Sequence, residues 1–306
     1  MCPYTPSNTI GRQGEPGTET YMKIPKRLQP LVDEGMVDEV LYQLMSGKEA
    51  QVYVVRCGDQ VRCAKIYKEA QKRSFKQAVQ YQEGRKVRNS RSARAMGKKT
   101  RHGQREQEEA WLNAEVDALY RLADAGVRVP QPHGFVDGVL LMEMITDEEG
   151  GAAPRLDDVT LTPEQARAYY AKVISDVVRM LSAGLIHGDL SEFNVLVDPT
   201  GPVIIDLPQA VNAAGNNSAE RMLERDVDNM RRYFGRFAPE LLNTDYGKEI
   251  WALYESGDLH PDSKLTGCFE HDTESANVDE LLEVIEAAKE EEWERLERIR
   301  DAEEGD

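Results

Sequence analysis

His187-Gly188-Asp189-Leu190-Ser191-Glu192-Phe193-Asn194 is the stretch from which this chain is best read. An aspartate poised in a loop can accept a hydroxyl proton, and an asparagine five residues later can offer its amide oxygen to a hard divalent cation. Twelve residues beyond Asn194, the apolar run Val203-Ile204-Ile205 ends on Asp206. A carboxylate at a strand end is costly to bury without a partner, and a metal ion is an attractive one. A proton acceptor plus two oxygen ligands is the equipment that phosphoryl transfer from a nucleotide asks of a protein. His187 reads as a structural residue bonded to backbone rather than as a base or ligand.

Upstream lie the other parts such chemistry needs, in the expected chain order. Ser46-Gly47-Lys48-Glu49-Ala50-Gln51-Val52-Tyr53 enters a strand through small residues, which lets backbone N–H groups approach phosphate oxygens. Taken alone, it reads as a turn before a strand. It is no Walker A loop, which needs a Gly-x-x-x-x-Gly-Lys-Ser/Thr pattern. Lys65 follows within Ala64-Lys65-Ile66, where a lysine between apolar strand residues points into a cleft or snorkels outward. Fifty residues on, Glu115 could hold it by an ion pair. Glu109 and Asp117 compete for that role, although Asp117 would face elsewhere on the helix.

The organisation along the chain suits this order. Met22 to Leu44 reads as one or two short helices broken near Gly35. Val52–Val55 and Val61–Tyr67 alternate around the turn Cys57-Gly58-Asp59-Gln60 and predict a hairpin. Trp111 to Ala123 has helical spacing and ends at Gly126. Val129-Pro130-Gln131-Pro132 is an extended link. Val139 to Ile145 reads as an apolar strand, and Thr162-Pro163-Glu164 opens a helix running to Leu181. Val203 to Asp206 reads as a strand and Arg221 to Phe237 as a helix. Strands with one helix come before residue 145 and helices dominate after it. The expected fold class is therefore α+β and bilobal: a small antiparallel sheet with one helix, then a mainly helical lobe. Residues 1–21 read as a flexible tail, 22–145 as the small lobe, 146–265 as the large lobe and 266–306 as an acidic helical tail.

These motifs together resemble the RIO atypical protein serine/threonine kinases over roughly residues 24–240. The matching stretches are Ser46–Tyr53, Ala64–Tyr67, Trp111-x-x-x-Glu115, Ala125–Pro132, Leu141-Met142-Glu143-x-Ile145, His187–Asn194, Ile204-Ile205-Asp206-x-x-Gln209-Ala210-Val211 and Leu223–Val227. The resemblance implies a protein-kinase-like fold and Mg²⁺-dependent transfer from ATP to a protein serine or threonine, with Mn²⁺ as the alternative ion. It implies autophosphorylation or ATP hydrolysis as a companion activity, with Asp206 the residue phosphorylated by position. Lys65 would bind phosphate, paired with Glu115, and Ser46 and Gly47 would line the phosphate loop. Met142 would stand behind the adenine, read by the Glu143 carbonyl and the Ile145 amide. Asp189 would be the catalytic aspartate, and Asn194 and Asp206 the metal ligands. Gly188 and Pro208 look like the subfamily with an N-terminal winged helix, whereas the Ser-Gly-Lys-Glu-Ala loop looks like the one without. The short stretch before Ser46 favours the winged-helix-free, prokaryotic type. No Asp-Phe-Gly motif is present.

Two other functions fit parts of the pattern. Aminoglycoside- and choline-type kinases also use His-Gly-Asp-x-x-x-x-Asn, but they usually carry His-Pro where this chain has Ser191-Glu192. A nucleotide-gated factor on ribosomal particles would use turnover only as a timer. The charge distribution bears on that option. Lys68 to Arg105 holds thirteen Lys/Arg against two Glu, a local +11 in a chain of net −17, so the remainder carries −28. The acidic bulk argues against general nucleic-acid binding, and the basic loop near 84–105 argues for one anionic partner such as ribosomal RNA or a ribosomal subunit. Val278 to Asp306 carries thirteen acidic residues on a polar helical pattern with a thin apolar stripe. No stretch approaches the roughly 18 apolar residues of a membrane span. Four scattered cysteines lack metal or redox spacing, which points to reduced thiols and a cytoplasmic location.

Overall fold

The computed structural model describes residues 24–47, 50–68 and 114–269. The chain divides into two compact units at Gly267/Cys268, and every element below belongs to the first. The basic segment and the acidic tail lie outside the described residues, as do Lys48, Glu49 and Glu109.

A five-stranded antiparallel sheet forms the small lobe. Its strands are β1 (Glu39–Ser46), β2 (Ala50–Cys57), β3 (Gln60–Tyr67), β4 (Pro132–Val136) and β5 (Val139–Glu143), in the order β1-β2-β3-β5-β4. β2 and β3 form the expected hairpin around Gly58-Asp59, with Gly58 at φ +62°. The two-residue period sorts their side chains. Tyr53, Val55, Ala64, Ile66, Val139 and Leu141 pack on one face with Leu31 of the short helix α1 (Gln29–Asp33) and with Leu28 just before it. Val52, Val54, Cys63 and Met142 occupy the other face, with Met144. Lys65 shares the parity of Cys63 and so belongs to that second face. Cys57 and Cys63 pack in different clusters and are free thiols.

The expectation of helix through Leu44 is corrected here: α1 is helical, but Glu39–Ser46 is a strand. Val40, Leu41, Leu44 and Met45 have helical spacing. Their pairing with β2 overrides it, and register shifts at Val40/Tyr42 and Gln43/Met45 break the alternation that would have announced a strand.

Helix α2 (114–124) follows, with Glu115, Val116, Leu119 and Leu122 buried. β5 leaves the sheet after Glu143, two residues sooner than the apolar run suggested, and Met144-Ile145 leads into the large lobe. There α3 (Pro163–Ser182) opens on a capping box. Thr162 accepts from the Gln165 N–H, and the Gln165 side chain accepts from the Thr162 N–H. β6 (Leu185–Ile186) pairs with β9 (Val211–Asn212), and β7 (Val195–Asp198) pairs with β8 (Gly201–Ile204). The expected strand thus ends at Ile204, before Ile205 and Asp206. α4 (Ala219–Gly235) and α5 (Tyr246–Ser256) complete the lobe. One apolar core joins α2, α3 and α4 to Leu190, Val195 and Ile204. It therefore fixes the loops carrying Asp189 and Asn194 against the helix carrying Glu115. No helix of the described residues is long and apolar enough to cross a membrane.

Candidate active site

β3 delivers Lys65 between neighbours on both sides, opposite Val52 on β2 and Leu140 on β5. Its Nζ lies 2.6 Å from Glu115 Oε1 and 3.5 Å from Asp206 Oδ1, and 5.2 Å from the centre of the Tyr67 ring. Burial pushes the ammonium pKa down, but Glu115, Tyr67 and Asp206 outweigh it and hold the value above that of an ordinary lysine. Asp117 is exposed on the opposite side of α2.

The catalytic-loop candidate is held by side chains that bond its backbone groups. His187 Nδ1 accepts from the Asp189 N–H at 3.3 Å, so its proton sits on Nε2, which donates to the Ile205 carbonyl at 3.0 Å. That bond ties the Asp189 loop to the segment leading into Asp206. Gly188 adopts φ +80°, a conformation a side chain would strain. Burial raises the Asp189 pKa, with Asp206 adding to it against His187 and Arg225. Gln209 Nε2 lies 3.5 Å from Asp189 Oδ2.

Asn194 donates from Nδ2 to the Asp189 carbonyl at 2.8 Å, which turns its Oδ1 away from that bond. The Ile205 N–H donates to the Asn194 carbonyl, bringing Asp206 to the same end of the β7–β8 hairpin. Asp206 stands at φ +67°, a left-handed conformation uncommon for a residue other than glycine. Its carboxylate is half exposed. All candidate ligands are oxygen donors, as a hard divalent cation requires. Among the described residues no group of three His, Cys, Asp or Glu could hold a metal alone. One carboxylate and one amide oxygen suit an ion that shares its ligands with substrate phosphates.

At the loop end of β1, Lys68 Nζ lies 2.6 Å from the Gly47 carbonyl and 3.3 Å from Ser46 Oγ. The Gly47 N–H donates to the Ala50 carbonyl. Met142 is partly buried between two apolar clusters. The Glu143 N–H donates to the Gln131 carbonyl, and the Ile145 carbonyl accepts from Ala153.

Sequence reasoning gave Asp226 no role, although it is 2% exposed. Its Oδ2 accepts from the Gly188 N–H at 2.7 Å and its Oδ1 from the Leu190 N–H at 3.1 Å. Burial raises its pKa to about 6, against His187, these two N–H groups and Arg225. Arg225 donates to the Gly188 carbonyl and Asn229 to the Leu190 carbonyl, so α4 grips the loop from below. A signal was available: Asp226 shares the apolar face of α4 with Met222, Leu223, Val227 and Met230, and a carboxylate there needs a buried partner.

Residues 51–247 match the RIO domain family. The RIO-type serine/threonine-protein kinase Rio1 of Haloferax volcanii is 35% identical over 207 residues, covering 67% of each chain. Serine/threonine-protein kinase rio1 of Schizosaccharomyces pombe is 32% identical over 216 residues, covering 68% of this chain and 41% of that one. The Homo sapiens serine/threonine-protein kinase RIO1 is 32% identical over 213 residues, 67% of this chain and 35% of its own. The match thus spans 67% of the archaeal relative and 41% and 35% of these two eukaryotic ones.

Proposed function

This chain belongs to the RIO domain family, and on that premise we propose that it is an ATP- and divalent-cation-dependent protein serine/threonine kinase acting through the cleft around Lys65. The observation that carries the reading is the position of Lys65, with one carboxylate on α2 and another beyond β8 around one ammonium. Lys65 binds the α/β-phosphates, and Glu115 holds it in the cleft. Ser46 and Gly47 line the phosphates. Met142 backs the adenine, which the Glu143 carbonyl and Ile145 amide read. Asp189 takes the proton of the acceptor hydroxyl, and His187 and Asp226 fix the loop that presents it. Asn194 and Asp206 are the residues that would hold the cation, Mg²⁺ in our reading, which neutralises phosphate charge when bound.

The basic loop near 84–105 is our proposed contact with a polyanion such as ribosomal RNA. Co-sedimentation with ribosomal subunits at several salt concentrations tests it, and absence of binding at low salt removes it. The reduced thiols of Cys57 and Cys63 suit a cytoplasmic location.

The central test uses purified protein with ATP and Mg²⁺, following ADP release and label transfer to protein. Asp189→Asn and Asp206→Asn should each lower turnover by about 10²-fold or more with the fold intact. Unchanged turnover in both overturns the assignment. Hydroxylamine-labile label would mark an acyl phosphate on Asp206 and hence the ATPase cycle, whereas stable label would mark serine or threonine. ATP-dependent phosphorylation of small alcohols but of no protein would favour the aminoglycoside- or choline-type reading instead.

A further inference from the structure

Arg128 lies in the link between α2 and β4 and contacts none of the residues assigned to the nucleotide except through Glu143. Its guanidinium forks onto that carboxylate, Nη1 to Oε2 at 2.8 Å and Nη2 to Oε1 at 3.0 Å. Glu143 shares the strand parity of Val139 and Leu141, so its side chain leaves β5 on the side away from Met142. The same Nη2 reaches Asp198 Oδ2 at 2.7 Å, at the end of β7 where the chain turns into β8. Asp198 is 8% exposed, and its other oxygen accepts from the Thr200 N–H, the Thr200 hydroxyl and the Gly201 N–H. The Arg128 backbone repeats the link: its carbonyl accepts from the Ile204 N–H at 2.9 Å.

The β7–β8 hairpin therefore meets Arg128 at its turn and along β8. That hairpin begins one residue after Asn194 and ends two residues before Asp206. Glu143 begins the segment whose carbonyl and amide are the proposed adenine contacts. One arginine thus holds the two parts of the protein that must fit the two ends of one nucleotide. A lone exposed ion pair would carry little consequence. A forked, shared guanidinium with one nearly buried acceptor has defined geometry, and a lysine cannot reproduce it.

Resting on the nucleotide-site reading above, we propose that Arg128 is a positioning residue that fixes the register between the adenine-reading segment and the metal-holding hairpin. Adenosine engages only the first of these, and ATP with Mg²⁺ engages both. Loss of the clamp should therefore weaken ATP–Mg²⁺ selectively.

The test is titration of the full chain with adenosine and with ATP–Mg²⁺, with thermal melts to check folding. For Arg128→Met, ATP–Mg²⁺ affinity should fall by about tenfold or more while adenosine stays within about threefold. Arg128→Lys keeps the charge but not the fork, and serves if the Met variant does not fold. It should show the same selective loss in smaller degree. A purely structural role would lower the melting temperature and leave the ratio of the two affinities unchanged. That result overturns the proposal, as does equal weakening of both ligands. Wild-type protein binding neither ligand would overturn the nucleotide-site reading, and the clamp with it.

Discussion

Lys65 has two carboxylates around it, Glu115 at 2.6 Å and Asp206 at 3.5 Å. Replacing it by methionine would strand Glu115, which is 5% exposed, as a buried charge without its cation. We expect Lys65→Met to abolish turnover and to cost about 3 kcal/mol in urea unfolding; a variant as stable as wild type would mean that Glu115 finds another partner. Asp226 makes a pH-dependent prediction. Its folded pKa of about 6 lies above the ordinary 3.8, so the fold favours the protonated acid. Relative to the unfolded chain, this contribution is fully present below about pH 4 and is lost as pH rises through about 6. Asp226→Asn removes the titration, so the stability of wild type relative to the variant should fall across that window, by about 3 kcal/mol at most. A difference that is flat or rises with pH would show that the two loop N–H groups outweigh burial. The grouping of Asp189 and Asn194 with the segment leading into Asp206 was legible at this scale, because the proposed chemistry asks for those residue types at that spacing. Arg128 was not, because its partners stand fifteen and seventy residues away, and such pairs leave no local pattern.

Elements reveal themselves in sequence when their signals are local. The α3 start is such a case: Thr162, Pro163 and Gln165 satisfy the first-turn N–H groups by themselves. Thr162→Ala should cost about 1 kcal/mol in chemical denaturation and leave ATP affinity unchanged, because the cap lies far from the cleft in sequence and makes no contact with Lys65 or the Asp189 loop. An unaltered midpoint would show the helix start to be held by packing alone. The β2–β3 hairpin was equally legible, since Gly58-Asp59 joins two alternating runs. β1 was misread because its bulges break the period of two and most of its side chains are exposed, leaving no face for the pattern to mark. β4 was missed for another reason. It carries Pro132 and Gly134, residues that argue against a central strand and are tolerated here because β4 is an edge.

At the scale of the molecule, the parts that would meet a nucleotide come from separate stretches of chain: β1 and β3, α2, the end of β5, the Asp189 loop and the segment after β8. A ligand spanning them stabilises the folded state in proportion to its affinity, by about 2.7 kcal/mol at a hundredfold excess over its dissociation constant. For a folded unit of this size that corresponds to roughly 5–10 °C in melting temperature. The metal-dependent share of this shift should reside in Asn194 and Asp206, the share owed to the adenine should not, and melts can separate the two. Wild type should shift most with ATP and Mg²⁺ together, less with ATP in excess chelator, and little with Mg²⁺ alone, because no group of three acidic, histidine or cysteine ligands exists among the described residues. Asp206→Asn should keep the ATP-with-chelator shift and lose the increment from Mg²⁺. It also removes one of the two carboxylates beside Lys65, so its melting temperature without ligand is the baseline for that comparison. Full retention of the Mg²⁺ increment in this variant would place the cation elsewhere and remove Asp206 from the metal site. Loss of both shifts together would instead mean that Asp206 supports the phosphate-binding position of Lys65.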